Sequence, residues 1–192
     1  MELKEAIEGR RSCRKFKDIP VSDEDIKAIV ESGINAPSAT NTQPWYFIAV
    51  SDPVVIEELR TVARGGAEVF EGFLKKRFPD HPDVVRSTTQ FIGSLGNSPF
   101  VVLAFIRNPE TGTDDSPVVQ SIAAAIENMV LTAYDKGIGS CWMTSLCGGE
   151  AAQAIHARFA PERGPLAAII TFGYSDEMPK MPRRKDDRVE YI

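Results

Sequence analysis

Residues 117–137, PVVQSIAAAIENMVLTAYDKG, constrain the fold of this chain more than any other stretch. Val118, Val119, Ile122, Ala125, Ile126, Met129, Val130 and Ala133 make a helix there apolar nearly all round. Such a helix must be covered on most sides, so it is expected to be central. Pro117 suits a first helical position, Ser116 the cap before it and Gly137 the stop after it. The complementary feature is SPFVVLAFIRN, with six consecutive apolar residues from Phe100 to Phe105 between Pro99 and Asn108. It is too short for a buried helix and reads as a strand covered on both faces.

The rest is arranged around these two. Residues 21–38, VSDEDIKAIVESGINAPS, form a predicted helix: Ser22 and Asp25 have capping-box spacing, and Ile26, Ile29, Val30 and Ile34 share a face that Pro37 ends. WYFIAVSD is a predicted buried strand, and PVVIEELRTVARGG a second helix with a glycine stop. From residue 67 to 97 the pattern weakens, and KKRFPDHPD interrupts it. Helices around a mobile excursion are expected there. PETGTDDS reads as a loop, CWMTSL as a strand or extended loop, EAAQAIHARF as a helix and LAAIITFGYS as a last core strand. The tail DEMPKMPRRKDDRVEYI has an apolar ending that needs a surface to dock on. This order predicts one α+β domain over residues 1–192 with a modest sheet.

Length fits a single well-packed domain. No apolar run reaches the length of a membrane span, and the charged opening MELKEAIEGR is unlike a secretory signal. Three scattered cysteines do not make a disulfide framework and point to a reducing cytoplasm. Two distant histidines, without CxxC or HxxxH spacing, argue against a metal site. Neither a GxSxG elbow, nor GxGxxG after a strand, nor a P-loop is present, and His156 lies on an ordinary amphipathic helix. No catalytic side chain is expected from these patterns.

Basic residues gather at two places. Residues 10–17 hold five of the 22 Lys and Arg of a chain with net charge −5, and RRKDDR (183–188) holds four more. Two compact clusters on an acidic chain suit a small anion, whereas nucleic acid draws on a broad basic field. RRSCR supplies arginine forks and a serine, the donor types that hold phosphate; a solvated charge run is the plainer alternative. Cys13 among these arginines is either a thiol of lowered pKa or a small side chain on a turn. APSATNTQPW, rich in small and amide side chains, is either a capped loop or a set of donors for a flat heteroatom-rich ring.

Four stretches together resemble the FMN-dependent nitroreductase family: RRSCRKF, ESGINAPSATNTQPWYFIAV, AAAIENMVLTAYDKGIGSCWMTSL and the PRRK tail. They lie in order across nearly the whole chain. The resemblance implies a nitroreductase-like α+β fold, a mainly antiparallel sheet flanked by helices, and an intertwined homodimer with FMN at the subunit interface. It further implies that Arg10, Arg11 and Ser12 hold the FMN phosphate and its neighbouring atoms, with Arg14 by the pyrimidine edge. Pro37, Ser38 and Asn41 would reach the ring from the partner subunit, Met143, Thr144 and Ser145 would line it, and Arg183 with Arg184 would close over the phosphate. Residues 65–97 would be a variable substrate cover, and residues 176–192 a dimer-docking tail. The implied activity is reduction of nitroaromatics, quinones or similar flat electrophiles with NADH or NADPH by a ping-pong hydride transfer; the alternative is an FMN protein for sensing, storage or a specialised flavin conversion. No nucleic acid or membrane partner is expected. Two departures from the family pattern stand out: Thr40 replaces a frequent glycine, and Thr144-Ser145-Leu146 replaces small or acidic residues followed by an aromatic.

Overall fold

Two layers of helices enclose a four-stranded antiparallel sheet of order β1-β2-β4-β3 in the computed structural model, which describes residues 1–112 and 115–192. The strands are β1 (Trp45–Val50), β2 (Phe100–Ile106), β3 (Gly139–Met143) and β4 (Leu166–Gly173). The helices are α1 (Leu3–Gly9), α2 (Asp23–Ile34), α3 (Pro53–Arg77), α4 (Pro82–Ser94), α5 (Ser116–Asp135) and α6 (Gly149–Phe159). No described helix is long and apolar enough to cross a membrane.

β2 explains the layering. All its residues are buried, and successive side chains point to opposite faces. Val101, Leu103 and Phe105 join the cluster under α3, α4 and α6; Phe100, Val102, Ala104 and Ile106 join the cluster under α2 and α5. A strand apolar at every position thus needs a helical layer on each side. α5 supplies one, touching α1, α2 and strands β2, β3 and β4. Its Ile122, Ala125, Ile126, Met129, Val130 and Ala133 are buried as expected, while Val119 in its first turn stays 40 % exposed. Across α2 and α5, Lys136 Nζ donates to Asp25 at 2.8 Å and Asn128 Nδ2 to the Ser32 carbonyl at 3.1 Å.

Several local expectations change. α3 does not stop at Gly65 and Gly66 but continues to Arg77, because its later turns pack along α4. Packing outweighs the cost of about 1 kcal/mol that an interior helical glycine carries relative to alanine. Residues 67–97 are therefore mostly two helices, broken where KKRFPDHPD falls. β1 is an edge strand and only partly buried. α5 begins one residue early, with Asp115 in the cap position but without a side-chain cap bond, and Ser116 instead accepts a hydrogen bond from Gln120. Ile34, at the last position of α2, is half exposed. Ser22 caps α2 as expected, its Oγ accepting the Asp25 N–H at 3.1 Å. Thr113 and Asp114, part of the expected PETGTDDS loop, lie outside the described residues.

One fully buried hydroxyl ties the central strands. Ser98 Oγ accepts the Phe172 N–H at 3.0 Å and the Phe100 N–H at 3.3 Å, and lies 2.7 Å from the Phe172 carbonyl and 2.6 Å from that of Phe100. Ser98→Ala leaves the Phe172 N–H buried without this acceptor, and should cost about 1–3 kcal/mol of stability. Urea unfolding measures it, and a loss below about 0.5 kcal/mol would show that the bond carries little.

Candidate functional site

The N-terminal basic stretch meets the sheet at its free edge. After α1 the chain runs beside β3, with a single parallel bridge between Ser12 and Ser140 and a 2.8 Å bond from the Cys13 N–H to the Ser140 carbonyl. Cys13 turns inward, its thiol 3.2 Å from the Lys15 carbonyl and 3.1 Å from Ser175 Oγ. Two glycines permit this approach. A Cβ at Gly139 would stand 3.0 Å from Cys13 Cβ, and one at Gly96, whose φ is +63°, would stand 2.6 Å from the Arg14 carbonyl oxygen.

Inward packing also settles the chemistry of the thiols. Burial raises the Cys13 pKa, with hydrogen bonds from Ser175 and Lys15 opposing it. Burial pushes Cys141 to about 11, against the Arg14 charge, and Cys147 to about 12. Of the two sequence readings, the small side chain is the one that fits: Cys13 is buried, and that burial raises its pKa where the arginines were expected to lower it.

Arg10 and Ser12 face a cavity of about 340 Å³, completed by Glu127 and Val130 of α5, Ser140 and Trp142 of β3, and Thr144. Arg10 Nε is 3.8 Å from the Glu127 carboxylate, beyond hydrogen-bond distance. A guanidinium so loosely paired, with three hydroxyl side chains around it, is a donor set suited to a phosphate-sized anion. Thr144 also lines a larger groove of about 920 Å³ between α3 and α6, which Ser145 shares. Ser145 Oγ is buried without a hydrogen-bond partner among the described residues. Such an orphan costs about 1–3 kcal/mol, and here it sits where the cleft and groove adjoin. Met143 is buried beneath.

The other predicted residues stand elsewhere. Arg11 Nη1 donates to the Arg10 carbonyl at 2.6 Å and braces the backbone. Arg14 lies over the Phe91 ring, 5.9 Å from its centroid, and opens to a separate cleft with Gln90, Ser94, Asn97 and Glu177. Pro37, Ser38 and Asn41 lie near the start of α5, where the Ala39 N–H donates to Ser121 Oγ at 3.1 Å. Arg10 meets the same helix at Glu127, six residues and about 9 Å farther along the axis. In the 38–43 loop, Thr40, Asn41 and Gln43 have φ of 49°, 56° and 46°, and Ser38 Oγ accepts the Gln43 N–H at 3.1 Å. Thr40 thus adopts the left-handed backbone that glycine would take freely, a strained conformation costing of order 1–3 kcal/mol. Arg183 is 88 % exposed and, among the described residues, paired only with nearby Asp186 at 3.3 Å; neither it nor Arg184 lines the Arg10 cleft. One chain therefore brings together Arg10, Ser12 and Thr144, with Ser145 adjoining, and keeps the 37–41 loop and the tail apart from them.

Residues 7–174 match the model of the Nitroreductase family. The chain belongs to the nitroreductase family. It is 32 % identical over 183 residues to YfhC of Bacillus subtilis (strain 168), whose name gives it provisionally as an NAD(P)H nitroreductase; the match spans 95 % of this chain and 89 % of that protein. Its fold is similar to a BluB-like flavoprotein from Clostridium difficile 630, with a TM-score of 0.77, 30 % identity, and 100 % and 99 % of the two chains covered. It is equally similar to a nitroreductase from Bacteroides fragilis NCTC 9343 solved with FMN bound: TM-score 0.77, 26 % identity, 100 % and 99 % covered.

This nitroreductase-family site also contains residues the sequence reading passed over. Ser140 and Trp142 line the cleft; of the two only Trp142 is exposed, at 38 %, between the buried Cys141 and Met143. Glu127 is the single charge within the apolar run of α5. That signal was there to be found. Gln90 had none, because only the packing of α4 brings it near Arg14.

With all three thiol pKa values raised, alkylation of the native protein at pH 8 should be slow and should keep accelerating above pH 9, becoming fast on unfolding. Iodoacetamide labelling with mass mapping tests this; rapid native modification of Cys13 at pH 8 would show an activated thiol instead.

Proposed function

We propose that this chain is an FMN-dependent oxidoreductase that uses NADH or NADPH to reduce flat electrophiles such as quinones and nitroaromatics. The observation that carries this reading is the Arg10–Ser12–Thr144 cleft, which shares Thr144 with a large groove, in a chain of the nitroreductase family. The donor set fits a phosphate at one end, and Thr144 and Ser145 line the groove where a ring would lie at the other.

When bound, FMN supplies two-electron redox chemistry, and donor and acceptor use it by turns in a ping-pong scheme. The protein binds and orients. Arg10 and Ser12 hold the phosphate, with Arg11 bracing the Arg10 backbone. Thr144 and Ser145 line the ring and Met143 packs beneath their loop. Arg14 opens to a separate cleft in this chain, and a ring whose pyrimidine edge reached that cleft would meet its positive charge, which would favour negative charge developing there. No side chain has to act as acid, base or nucleophile. For a quinone the balance is NAD(P)H + H⁺ + quinone → NAD(P)⁺ + hydroquinone; for a nitroarene it is NAD(P)H + H⁺ + ArNO₂ → NAD(P)⁺ + ArNO + H₂O.

Pro37, Ser38, Asn41, Arg183 and Arg184 complete the site in a homodimer, each copy contributing them to its partner. Two observations support this. These segments stand away from the Arg10 cleft in their own chain, and the tail exposes Met178, Met181, Val189, Tyr191 and Ile192, apolar residues that need cover. We place the enzyme in a reducing cytoplasm, where its three cysteines stay free. The likeness to a BluB-like flavoprotein favours a second reading, a specialised flavin conversion.

Arg10→Ala should weaken FMN binding about ten- to a hundredfold, as expected for loss of a charge-assisted bond, and Arg183→Ala should add to it. Flavin retained at the wild-type level in the double variant would overturn the phosphate assignment. Bleaching of the flavin by NAD(P)H without oxygen, followed by recovery with a quinone, separates the reductase from the second reading. Truncation after Ser175 should convert the dimer to a flavin-poor monomer in sedimentation. A wild-type protein that sediments as a monomer with full flavin content would contradict the shared site.

A further inference from the structure

We infer that the α3–α6 groove is the seat of the electron acceptor and that Glu150 makes it select against anions. This rests on the reductase reading for what the acceptor does, but the selectivity follows from the groove itself. Val62, Val69, Phe70 and Phe73 of α3 form one wall, and Ala151 and Ala154 of α6 contribute to the other. The rings of Phe70 and Phe73 lie 5.1 Å apart at their centroids, a paired aromatic surface for a third flat ring. Val69 and Phe73 are 82 % and 56 % exposed, so the wall presents apolar area that a guest would cover. There is room as well, since a Cβ added at Gly65, Gly148 or Gly149 would meet nothing within 4 Å.

Charge then decides which flat guest is suited. Glu150 is the one ionisable residue among the described residues lining this groove, and no lysine or arginine lines it. The cleft holding Arg10 and the one holding Arg14 are, by contrast, each basic in part. The neighbouring Arg64 is committed elsewhere, donating to Glu57 at 3.0 Å and to Thr61 at 2.9 Å. The N-terminus of α6 adds roughly half a positive charge, which the full charge of Glu150 in its first turn exceeds. The groove shares Thr144 with the Arg10 cleft, so a guest here would lie near the proposed ring rather than on a remote surface. The guest that fits is an aromatic electron acceptor that is uncharged or cationic, and Glu150 is a specificity-determining residue.

The test compares three nitrobenzenes of similar size on the holoenzyme: 4-nitrobenzyl alcohol, 4-nitrobenzoate and (4-nitrobenzyl)trimethylammonium. At low salt, kcat/KM for the anion should fall about tenfold below that of the alcohol, and the gap should shrink at high salt. Glu150→Gln should narrow the anion-to-alcohol ratio about three- to tenfold, and Val69→Lys should narrow it by placing a cation on the exposed wall. A readout independent of turnover uses the oxidised holoenzyme titrated with benzyl alcohol, benzoate and benzyltrimethylammonium. Backbone NMR shifts at Ala151 and Ala154 should respond to the alcohol and the cation and weakly to benzoate, with Glu150→Gln restoring the benzoate response. Equal wild-type handling of anion and alcohol, a ratio unmoved by Glu150→Gln, or shifts that avoid α3 and α6 would each overturn the inference. A flavin that NAD(P)H reduces normally, with no charge discrimination, sinks this inference alone. A flavin that no nicotinamide reduces sinks the reductase reading, and the ligand titration still decides the groove.

Discussion

The burial of β2 on both faces is the constraint from which the remaining architecture follows. A strand apolar at every position cannot leave either side to water, and so requires a helical layer above and below the sheet. α5 can fill one of those layers because it is itself apolar around most of its circumference, and it then fixes α1 and α2 against its outer surface. On the opposite face α3, α4 and α6 share the task, none of them alone wide enough to cover the sheet. The clefts form where these layers end, at the rim of β3 and in the seam between α3 and α6.

Electrostatics divides that rim into unlike parts. Arg10 and Arg14 belong to neighbouring stretches of backbone yet open to different clefts, since the inward turn of Cys13 separates them. The groove at Thr144 has the opposite character, apolar with a single carboxylate. A site assembled this way can hold a multiply charged group at one end and an uncharged ring at the other, each in surroundings of matching polarity. Water competes poorly for the apolar end, and the charged end keeps its donors within reach of solvent.

Much of this was legible in the sequence because the strongest signals were also the most local. The run from Phe100 to Phe105, the all-round apolar helix and the Ser22 cap each depend on neighbouring residues, and each is found where expected. What escaped depended on tertiary contact. Gly65 and Gly66 look like a stop until α4 packs alongside, and neither the 25 residues of α3 nor the groove they line can be read without that partner. At the site, the resemblance to the family named Arg10, Ser12, Thr144 and Ser145, which do converge at one rim. It could not reveal that Arg14 lies over Phe91, because α4 and its ring come from a stretch with no recognisable pattern.

β3 has one neighbour in the sheet, β4, and on its other side only a single bridge to Ser12. Side chains such as Trp142 and Thr144 therefore hang from the one part of the sheet whose loss of fit does not propagate through β2. Replacing them alters what the rim can hold while the two apolar clusters stay closed. Such a scaffold can acquire a different partner molecule by small local steps, without first giving up the fold that supports it.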